Sequence, residues 1–508
     1  MFHHRLVRTS VGAAFVAAAL TACGSTVPLS QSGLSGGSGD GLGGSVGTTG
    51  AVQSGTTGAS VPSTTGSTSG TTGVAAPQAG PTAGSGTTGV TAPVPGSVSG
   101  PVVGVKKNAP IELGFLTTSA SNAGSAGVNT GQSFSDRQMY AALVDEYNLT
   151  GGLDGHKIVP VYGTTDTASS DWAGQYQAAC ETLTTDHHVK AVLGYSFVWL
   201  DSFEKCLLNH KVTHLYGGYQ PGDVQAQKDY PNVVSGAHPT VDGLYTTVLS
   251  GAVASGRLTK ATKLGIIVDG CGHGDRAFAR TAKPYLDAQK ITYKTVSIAC
   301  QSGSGDVASG LSAIKSAQLQ FATAGVTVVF IPNNVELLFF MANSESQGYR
   351  PQYLAPGGGA AFEAQSGLVP PKQLENFHGY GWMPSIDVNP QHQPYPKTAA
   401  QTACLAKLAK HGLKPSGFND YMGSYVTCDA LELYRQALAL TKGATDIASI
   451  RAALLQVMPA FKGAATYGGS FGTSSVQRGG PGQYRETSWT ASCSCFTYVG
   501  AARRLPTL

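Results

Sequence analysis

Charged residues are scarce in this chain of 508 residues: Asp, Glu, Lys and Arg make up 12% of it, about half of the roughly 25% that is usual. The 33 Lys and Arg against 29 Asp and Glu leave a formal net charge of +4, and the sequence has no basic run. A protein that binds nucleic acid through phosphate contacts needs a clustered cationic face. The composition therefore argues against a nucleic-acid partner.

The common catalytic motifs are also missing. The sequence has no Walker loop and no H-E-x-x-H, and G-x-G-x-x-G occurs only by composition in the Gly-rich stretch, at residues 39–44 and 84–89, with no predicted strand before it and no predicted helix after it. It therefore does not indicate the usual phosphate, zinc or dinucleotide sites. Residues 468–472 match G-x-S-x-G around Ser470, but residues 473–482 lack the helical periodicity that a nucleophile elbow requires. We therefore expect a protein that is not an enzyme and that has no cofactor, with a serine hydrolase using Ser470 as a minor alternative.

The N-terminus is typical of an export signal. Arg5 and Arg8 precede an apolar run at residues 11–22, which is shorter than the about 20 residues of a membrane-spanning helix. The run ends in Leu-Thr-Ala-Cys-Gly, with Cys23 as its cysteine, and this stretch resembles a bacterial lipobox. We expect residues 1–23 to be a lipoprotein signal that ends at a lipidated Cys23. A lipidated cysteine carries more than one acyl chain, which is about what stable anchoring requires.

Residues 24–105 contain no aromatic side chain and one charge, Asp40, and Gly-Thr-Thr-Gly recurs in them. Such a segment cannot bury enough apolar surface to offset its ordering entropy. The composition predicts a disordered tether rich in Gly, Ser and Thr. Its root-mean-square reach is roughly 50 Å, which is enough to hold a domain away from a membrane.

From residue 106 onward, short apolar runs alternate with helical patterns. This alternation predicts right-handed βαβ units and parallel sheets, and roughly 400 residues are too many for one such sheet. We therefore predict an α/β protein with two lobes. Predicted strands cover residues 111–116, 157–162, 189–193, 212–216, 264–268, 291–298 and 326–331. Predicted helices cover residues 135–147, 171–184, 241–255, 275–289, 307–321, 335–347, 399–411, 420–440 and 447–455.

Residues 147–159 read Tyr-Asn-Leu-Thr-Gly-Gly-Leu-Asp-Gly-His-Lys-Ile-Val, which predicts a helix end, a tight turn and a strand. The stretch resembles the N-x-x-G-G-x-x-G signature of type 1 periplasmic-binding-protein folds, particularly the branched-chain amino acid (Leu/Ile/Val) substrate-binding proteins of ABC transporters. The resemblance continues in order through Asp166 and residues 189–194, 269–274, 326–332 and 347–359.

The resemblance implies two Rossmann-like lobes with parallel sheets, joined by a hinge of three crossings and closing on a small ligand. Lobe 1 is expected at residues 106–237 and 378–462, and lobe 2 at residues 238–377, with the C-terminal segment 463–508 returning to lobe 2. Hinge crossings are expected near His238-Pro239, near His378-Gly379 and within residues 461–469.

Ligands of open parallel sheets bind at the carboxyl ends of the strands, so the residues that follow the strands are the candidates for contact. In lobe 1 the expected ligand-binding residues are Thr118, Ser119, Ser196, Phe197, Gly218 and Tyr219. In lobe 2 they are His273, Asn333 and Gly357.

Two positions depart from the pattern of the Leu/Ile/Val binders. The family places an acidic residue for the ligand's ammonium after Pro356, where this chain has Gly357, and an aromatic residue where this chain has Asn333 or Asn334. Because an unpaired buried ammonium is costly, the expected ligand is a small polar metabolite, amino-acid-like, amide or carboxylate, rather than a standard α-amino acid.

Without Cys23, eight cysteines remain, and eight thiols allow 105 pairings. The right-handed winding places Cys180 and Cys206 on one face of a sheet. Cys271 and Cys300 each end a strand, and those strands are consecutive. Cys404 and Cys428 lie on successive predicted helices. Cys493 and Cys495 are left, and a bridge between them would close a tight ring. A metal at this C-x-C is disfavoured, since no His-x-x-His or second C-x-x-C accompanies it.

Taken together, these features predict a monomeric solute-binding lipoprotein on the outer face of the bacterial cytoplasmic membrane. Its expected partners are a small solute and an ABC permease. A ligand-sensing receptor of the same fold, which signals to a membrane partner, is the alternative.

Overall fold

The computed structural model describes residues 108–118, 133–194, 196, 198–218, 222–357, 362–389, 398–466, 471–474 and 477–506. These residues all belong to one compact unit of the chain. The predicted signal with Cys23 and the predicted tether lie outside them. None of the helices in this part of the chain combines the length and the apolar character needed to cross a membrane.

The described strands form two sheets of seven strands each. In chain order they are β1 (Asn108–Thr118), β2 (His156–Thr165), β3 (Ala191–Gly194), β4 (Thr213–Tyr216), β5 (Val233–Ser235), β6 (Lys263–Gly270), β7 (Thr292–Ala299), β8 (Val328–Phe330), β9 (Gln352–Pro356), β10 (Phe377–Gly381), β11 (Phe471–Ser474), β12 (Gln477–Pro481), β13 (Gln483–Thr490) and β14 (Cys495–Arg504). The order is β11-β12-β5-β4-β3-β1-β2 in the first sheet and β14-β13-β10-β9-β8-β6-β7 in the second.

The helices cover both faces of the sheets. They are α1 (Asp136–Leu149), α2 (Trp172–Glu181), α3 (Asp201–Asn209), α4 (Val224–Asp229), α5 (Val241–Ala254), α6 (His273–Ala277), α7 (Lys283–Gln289), α8 (Val307–Thr323), α9 (Asn334–Ser346), α10 (Phe362–Gln365), α11 (Pro371–Leu374), α12 (Pro384–Asp387), α13 (Ala399–Lys410), α14 (Phe418–Thr441) and α15 (Ile447–Val457). Single π-helical turns follow α2 (Thr182–Asp186) and α6 (Phe278–Ala282), and short 3₁₀ turns lie at Ser304–Asp306, Ser366–Leu368 and Met458–Ala460.

The five parallel strands β1–β5 and the five parallel strands β6–β10 each follow the doubly wound order 2-1-3-4-5. In both sheets the first strand of the set therefore lies between the second and the third. Adjacent residues of β6, Ile266 and Ile267, are fully buried in two different apolar clusters. Both faces of this sheet are thus covered, as is usual for parallel strands joined by helices. The predicted α/β class with parallel sheets is confirmed.

The N-x-x-G-G-x-x-G segment forms the turn from α1 into β2. Its three glycines, Gly151, Gly152 and Gly155, all have positive φ. Residues with a Cβ rarely adopt this backbone conformation. The Asn148 side chain closes the turn: its amide donates to the carbonyl of Ile158 at 3.0 Å, and its oxygen accepts from the Ile158 N–H at 2.7 Å. The motif therefore shapes the backbone at this turn.

The C-terminal segment contributes to both sheets. Strand β12 pairs with β5 of the first sheet, whereas β13 and β14 extend the second sheet in antiparallel fashion beyond β10. The chain therefore passes from one sheet to the other at Gly482, later than the crossing expected within residues 461–469. The expectation that all of residues 463–508 return to lobe 2 is wrong for β11 and β12, which belong to the first sheet.

The other two expected crossings differ in outcome. His238 and Pro239 lie between β5 and α5, where the chain leaves the first sheet. His378 and Gly379 lie within β10, which pairs with β9 on one side and β13 on the other. The second crossing therefore follows Gly381, which is near the expected position and two residues beyond Gly379.

Four disulfides are present among the described residues: Cys180–Cys206, Cys271–Cys300, Cys404–Cys428 and Cys493–Cys495. The first joins α2 to α3, and the third joins α13 to α14. The second joins the segments that follow β6 and β7, and the fourth lies in the turn from β13 to β14. The first three pairs are those that the predicted elements bring together, and the fourth joins the two cysteines that were left over.

Candidate functional site

The carboxyl edges of the two parallel strand sets face each other. The segment after β2 contacts the segment after β7: the Trp172 N–H donates to the Ser302 carbonyl at 2.9 Å, and the Ser304 N–H donates to the Ser169 carbonyl at 2.8 Å. The Ser304 hydroxyl also donates to the Ala168 carbonyl at 2.8 Å. Both segments follow the carboxyl ends of their strands, so the edge at which open parallel sheets bind ligands is shared between the two lobes.

An ionic cluster with buried carboxylates bridges the lobes on the side of β4 and β6. Arg276 donates two hydrogen bonds to Asp223, at 2.8 and 3.0 Å, and Arg280 donates to both Asp223 and Asp242. Asp223 precedes α4 of the first lobe, whereas the two arginines and Asp242 belong to the second. Both carboxylates are fully buried. We call these four residues the ionic bridge.

The charges of the ionic bridge balance. Burial alone would raise the pKa of Asp223, but hydrogen bonds from Arg276, from the Ala226 N–H and from Arg280 outweigh it and lower the pKa to about 2. Asp223 is therefore ionised at neutral pH, and the ionic bridge holds the lobes together without an unpaired charge.

The lobe 1 candidates that the structure describes mostly make contacts within lobe 1 itself. Ser196 is 2% exposed; its hydroxyl lies 3.0 Å from the Val198 carbonyl and 3.1 Å from the Tyr176 hydroxyl. A Cβ at Gly218 would collide with the Ser196 carbonyl. Thr118, the last residue of β1, is part-buried and donates its N–H to Asp136 at 3.1 Å. The other candidates, Ser119, Phe197 and Tyr219, lie outside the described residues.

In lobe 2 the candidates lie at the expected edge. His273 begins α6 and is 7% exposed, and Asn333 directly precedes α9. Gly357 follows β9 and donates its N–H to the Tyr380 carbonyl at 2.7 Å. A Cβ at Gly357 would collide with the backbone of Gly381. The close approach of β10 therefore explains why no acidic residue stands at this position.

Three polar residues of lobe 2 that the sequence reasoning did not select influence one another electrostatically. Asp269 lies at the carboxyl end of β6, Glu336 lies in the first turn of α9 after β8, and Tyr245 lies on α5. Strands β6 and β8 are neighbours and flank the point where the strand order reverses. A carboxylate at the carboxyl end of β6 and another in the first turn of the helix after β8 were the sequence signals that could have identified them.

The electrostatics of this group are unusual for carboxylates. Burial, with a further effect of the Asp269 charge, raises the pKa of Glu336 to about 8. Burial and the nearby acidic groups, Asp269 first among them, also raise the pKa of Tyr245. His273 Nε2 lies 3.6 Å from Asp269 Oδ2. Glu336 is thus largely protonated at neutral pH.

One set of possible metal ligands occurs among the described residues, formed by Asp269, Cys271 and Cys300. Because Cys271 and Cys300 are bonded to each other, neither offers a thiolate. This set is therefore unsuited to a metal.

The segment after Ser470 bears on the hydrolase alternative. Ser470 itself lies outside the described residues, and strand β11 begins at the next residue, Phe471. A nucleophile elbow requires a helix at that point. The geometry therefore disfavours a serine nucleophile here.

Comparisons with known proteins identify the fold. No protein-family model and no curated protein matches the chain. A substrate-binding protein of an ABC transporter from Desulfitobacterium hafniense, also solved in complex with Leu, has a TM-score of 0.52 at 16% identity, covering 77% of this chain and 100% of that one.

Two further solved structures have the same fold. A fatty acid ABC transporter substrate-binding protein from Thermomonospora curvata gives a TM-score of 0.56 at 15% identity, covering 79% of this chain and 95% of that one. A solute-binding protein from R. palustris in complex with 4-hydroxybenzoate gives a TM-score of 0.54 at 16% identity, covering 78% of this chain and 98% of that one. The chain therefore has the fold of the ABC transporter substrate-binding proteins, as the resemblance implied.

Proposed function

We propose that this chain is the solute-binding component of an ABC importer and captures a small polar metabolite between its two lobes. The observation that carries the proposal is the meeting of two carboxyl strand edges across the Trp172–Ser302 and Ser169–Ser304 hydrogen bonds. A crevice between such edges is the usual ligand site of open parallel sheets. The solved structures of the same fold support the proposal, since their printed ligands include Leu and 4-hydroxybenzoate.

Capture proceeds by closure of the lobes. With the lobes apart, the crevice is open to solvent, and a solute that contacts both edges favours the closed arrangement. The ionic bridge and the hydrogen bonds at Ser302 and Ser304 add contacts that are made only when the lobes meet. The permease then recognises the closed form. Binding needs no chemical step, so the protein acts without catalysis.

The protein works outside the cytoplasm, held on the outer face of the cytoplasmic membrane by acyl chains on Cys23 and carried away from it by residues 24–105. Two acyl chains supply stable anchoring, and the composition of the segment supplies reach. Replacing Cys23 by Ser should move the protein from the membrane fraction to the soluble fraction. Retention of the variant in the membrane fraction would exclude the lipid anchor.

Thermal unfolding of the full chain in the presence of small solutes tests the proposed function. The panel contains L-leucine, 4-hydroxybenzoate and a series of small amides and carboxylates. A solute present at 100 times its Kd should stabilise the folded state by about 2.7 kcal/mol, which is seen as a raised Tm. If no member of the panel and no wider set of polar metabolites raises the Tm, the solute-binding proposal is wrong.

A further inference from the structure

A short strap of lobe 2 crosses to lobe 1 at one side of the crevice. The strap, defined as residues 300–306, lies between β7 and α8. Its contacts with lobe 1 come from Ser302, whose carbonyl accepts a backbone N–H, and from Ser304, whose N–H donates to a backbone carbonyl. Their partners lie within residues 169–172. Because backbone meets backbone, the strap must lie very close to lobe 1.

The central residue of the strap, Gly303, shows how close this contact is. Gly303 is buried, and a Cβ built on it would collide with the backbone of Ser170 in lobe 1. A Cβ at Gly305, two residues further on, would meet no atom within 4 Å. The strap therefore has one glycine that the contact between the lobes requires and another that it does not.

The strap lies on the side of the crevice that is opposite the hinge. The strands that precede the two contacting segments, β2 and β7, are the edge strands of their sheets. The three crossings follow β5, β10 and β12, which lie towards the other edge of each sheet. A hinge rotation displaces the points farthest from the hinge most. Contacts of the strap are therefore especially sensitive to how far the lobes close.

The position of the strap depends on contacts at its two ends. Its sequence is Cys-Gln-Ser-Gly-Ser-Gly-Asp, so it has no aliphatic or aromatic side chain to bury in a core. At one end Asp306 accepts from the Ser302 N–H at 2.8 Å and from the Ser302 hydroxyl at 2.6 Å. At the other end the Cys271–Cys300 disulfide ties the strap to the segment after β6. Opening this disulfide removes the covalent constraint on the strap.

The same disulfide is also accessible to solvent. Among the eight described cysteines, Cys300 alone is exposed, and its partner Cys271 is partly exposed. The cysteines of the two disulfides that join helices are 9% exposed or less, and Cys495 of the fourth disulfide is fully buried. Thiol–disulfide exchange requires that a thiolate reach one of the sulfurs, so an exposed disulfide reacts before a buried one.

We propose that the Cys271–Cys300 disulfide is a redox-sensitive brace, which holds the strap in place and thereby favours closure of the lobes. The inference rests on the proposed function and adds a regulation of the same crevice. With the disulfide formed, Ser302 and Ser304 are held where they bond to lobe 1. With the disulfide open, the strap loses this position, so the closed form is less favoured and the solute binds more weakly.

A dithiol opens the disulfide in two exchange steps. One thiolate of the dithiol attacks the exposed sulfur of Cys300 and forms a mixed disulfide. The bond between Cys271 and Cys300 breaks, and Cys271 leaves as a thiolate that takes a proton from the solvent. The second thiolate of the dithiol then attacks the mixed disulfide, and Cys300 leaves in the same way. Two electrons pass to the two cysteines, and the dithiol becomes a disulfide.

Reduction of the full chain by dithiothreitol under native conditions tests the accessibility of the disulfide. Thiols that appear during reduction are alkylated, and mass spectrometry of peptides identifies the cysteines that carry the label. Cys271 and Cys300 should be labelled before the cysteines of the two buried disulfides. Labelling of Cys180 or Cys404 ahead of Cys300 would overturn the proposal.

Hydrogen exchange of the strap gives a measurement that needs no solute. The amides of Ser302 and Asp306 are bonded within the strap, so their exchange reports on its order. A peptide that covers the strap should exchange faster in Cys271→Ser/Cys300→Ser than in the unchanged protein. The matched control, Cys180→Ala/Cys206→Ala, removes a disulfide of similar separation, 26 residues against 29, and should leave the exchange of the strap unchanged. Equal exchange in all three proteins would overturn the brace.

Solute affinity tests the link between the strap and capture. The probes are L-leucine and 4-hydroxybenzoate, together with each small amide or carboxylate of the panel that raises the Tm. Cys271→Ser/Cys300→Ser should bind about fivefold more weakly, as expected when about one hydrogen bond between the lobes is lost. Reduction of the unchanged protein by dithiothreitol should cause a similar loss, and reoxidation should restore the affinity.

The two glycines of the strap separate its position from the chemistry of the disulfide. Gly303→Ala keeps the disulfide but prevents the strap from lying against Ser170, so it should also bind about fivefold more weakly. Gly305→Ala places its Cβ in open space and should bind as the unchanged protein does. Equal affinities of the two glycine variants would show that the strap does not support closure and would overturn the proposal.

The outcomes also separate the brace from the proposed function. If Cys271→Ser/Cys300→Ser binds a solute as tightly as the unchanged protein, the brace is wrong and solute capture is intact. If no probe and no other polar metabolite binds the unchanged protein, the proposed function is wrong, and redox control of capture falls with it.

Discussion

At the scale of single residues, the structure divides the sequence candidates into residues that shape the backbone and residues that lie at the carboxyl strand edge of lobe 2. Ser196, Gly218 and Gly357 belong to the first kind: the serine hydroxyl is bonded within lobe 1, and each glycine lies where a Cβ would collide with neighbouring backbone. His273 and Asn333 lie at the lobe 2 edge beside Asp269 and Glu336. Binding is therefore expected to depend more on lobe 2 carboxylates than on Ser196.

Replacement of Ser196 by Ala tests this division. The variant loses a buried hydroxyl that is hydrogen-bonded to both Val198 and Tyr176, so its free energy of unfolding should fall by about 1 kcal/mol. Urea denaturation measures the change. Ser346→Ala removes an exposed hydroxyl bonded to its own helix and should have little effect. A Ser196→Ala variant of unchanged stability but weakened solute binding would instead make Ser196 a ligand contact.

The residues that sequence reasoning missed show the limit of predicting site residues from a sequence pattern alone. Asp269 and Glu336 are 67 positions apart, and each alone is an ordinary carboxylate near the end of a strand. Their importance depends on the pairing of β6 with β8 and on burial by α5, which are properties of the folded chain. The strand-end rule predicted the right edge of the sheet but could not select these side chains.

At the scale of elements, the parallel strands were predictable because each is a short apolar run between turn residues, and all seven predicted runs overlap strands of the structure. The C-terminal strands β11–β14 were not predicted. They pair mainly in antiparallel fashion, although β12 also joins β5 in parallel. They are rich in Gly, Ser, Thr and Arg, so they lack the continuous apolar run that buried parallel strands show. The three-residue strand β5 was also missed, since it is too short for a periodic signal.

The disulfide between α2 and α3 gives a prediction at this scale. Cys180 and Cys206 are 26 residues apart in sequence, so the Cys180→Ala/Cys206→Ala variant should lose about 3 kcal/mol of unfolding free energy. Denaturation in urea without reductant measures the loss. The matched control removes Cys493 and Cys495, which are 2 residues apart, and should lose much less, because little chain entropy is restricted by so short a loop. Equal losses in the two variants would contradict this account.

At the scale of the whole molecule, the proposed closure of the lobes depends on contacts between segments far apart in sequence. The ionic bridge joins Asp223 of lobe 1 to Arg276 and Arg280 of lobe 2. Its carboxylates are buried and its guanidinium groups are partly exposed. Such a bridge stabilises the closed arrangement and adds little once the lobes have separated.

Removal of the ionic bridge should therefore weaken closure. Arg276→Ala should lower the free energy of unfolding by about 1–2 kcal/mol, a figure reduced by the partial exposure of the guanidinium, and should weaken solute binding. Because Asp223 has a lowered pKa, its stabilising effect is complete above the ordinary pKa of Asp and is lost as pH falls toward about 2. The loss of Tm between pH 5 and pH 2 should be smaller in the variant than in the unchanged protein.

The exposed pair Lys283–Asp287 provides the control for the ionic bridge. Lys283→Ala should leave both the Tm and its pH profile unchanged, since exposed ion pairs contribute little. A profile of Arg276→Ala that is identical to that of the unchanged protein would exclude the bridge as a stabilising element.

Amide hydrogen exchange tests the closing of the two lobes on a solute most directly. The amides of Trp172 and Ser304 are bonded to carbonyls of the opposite lobe, so their exchange reports on whether the lobes touch. Peptides that contain these two amides should exchange slowly with a saturating amount of a solute that raises the Tm, and quickly without it. The amide of Ile158, bonded within lobe 1, should exchange at the same rate in both samples. Equal exchange of the Trp172 and Ser304 peptides with and without that solute would contradict capture by closure.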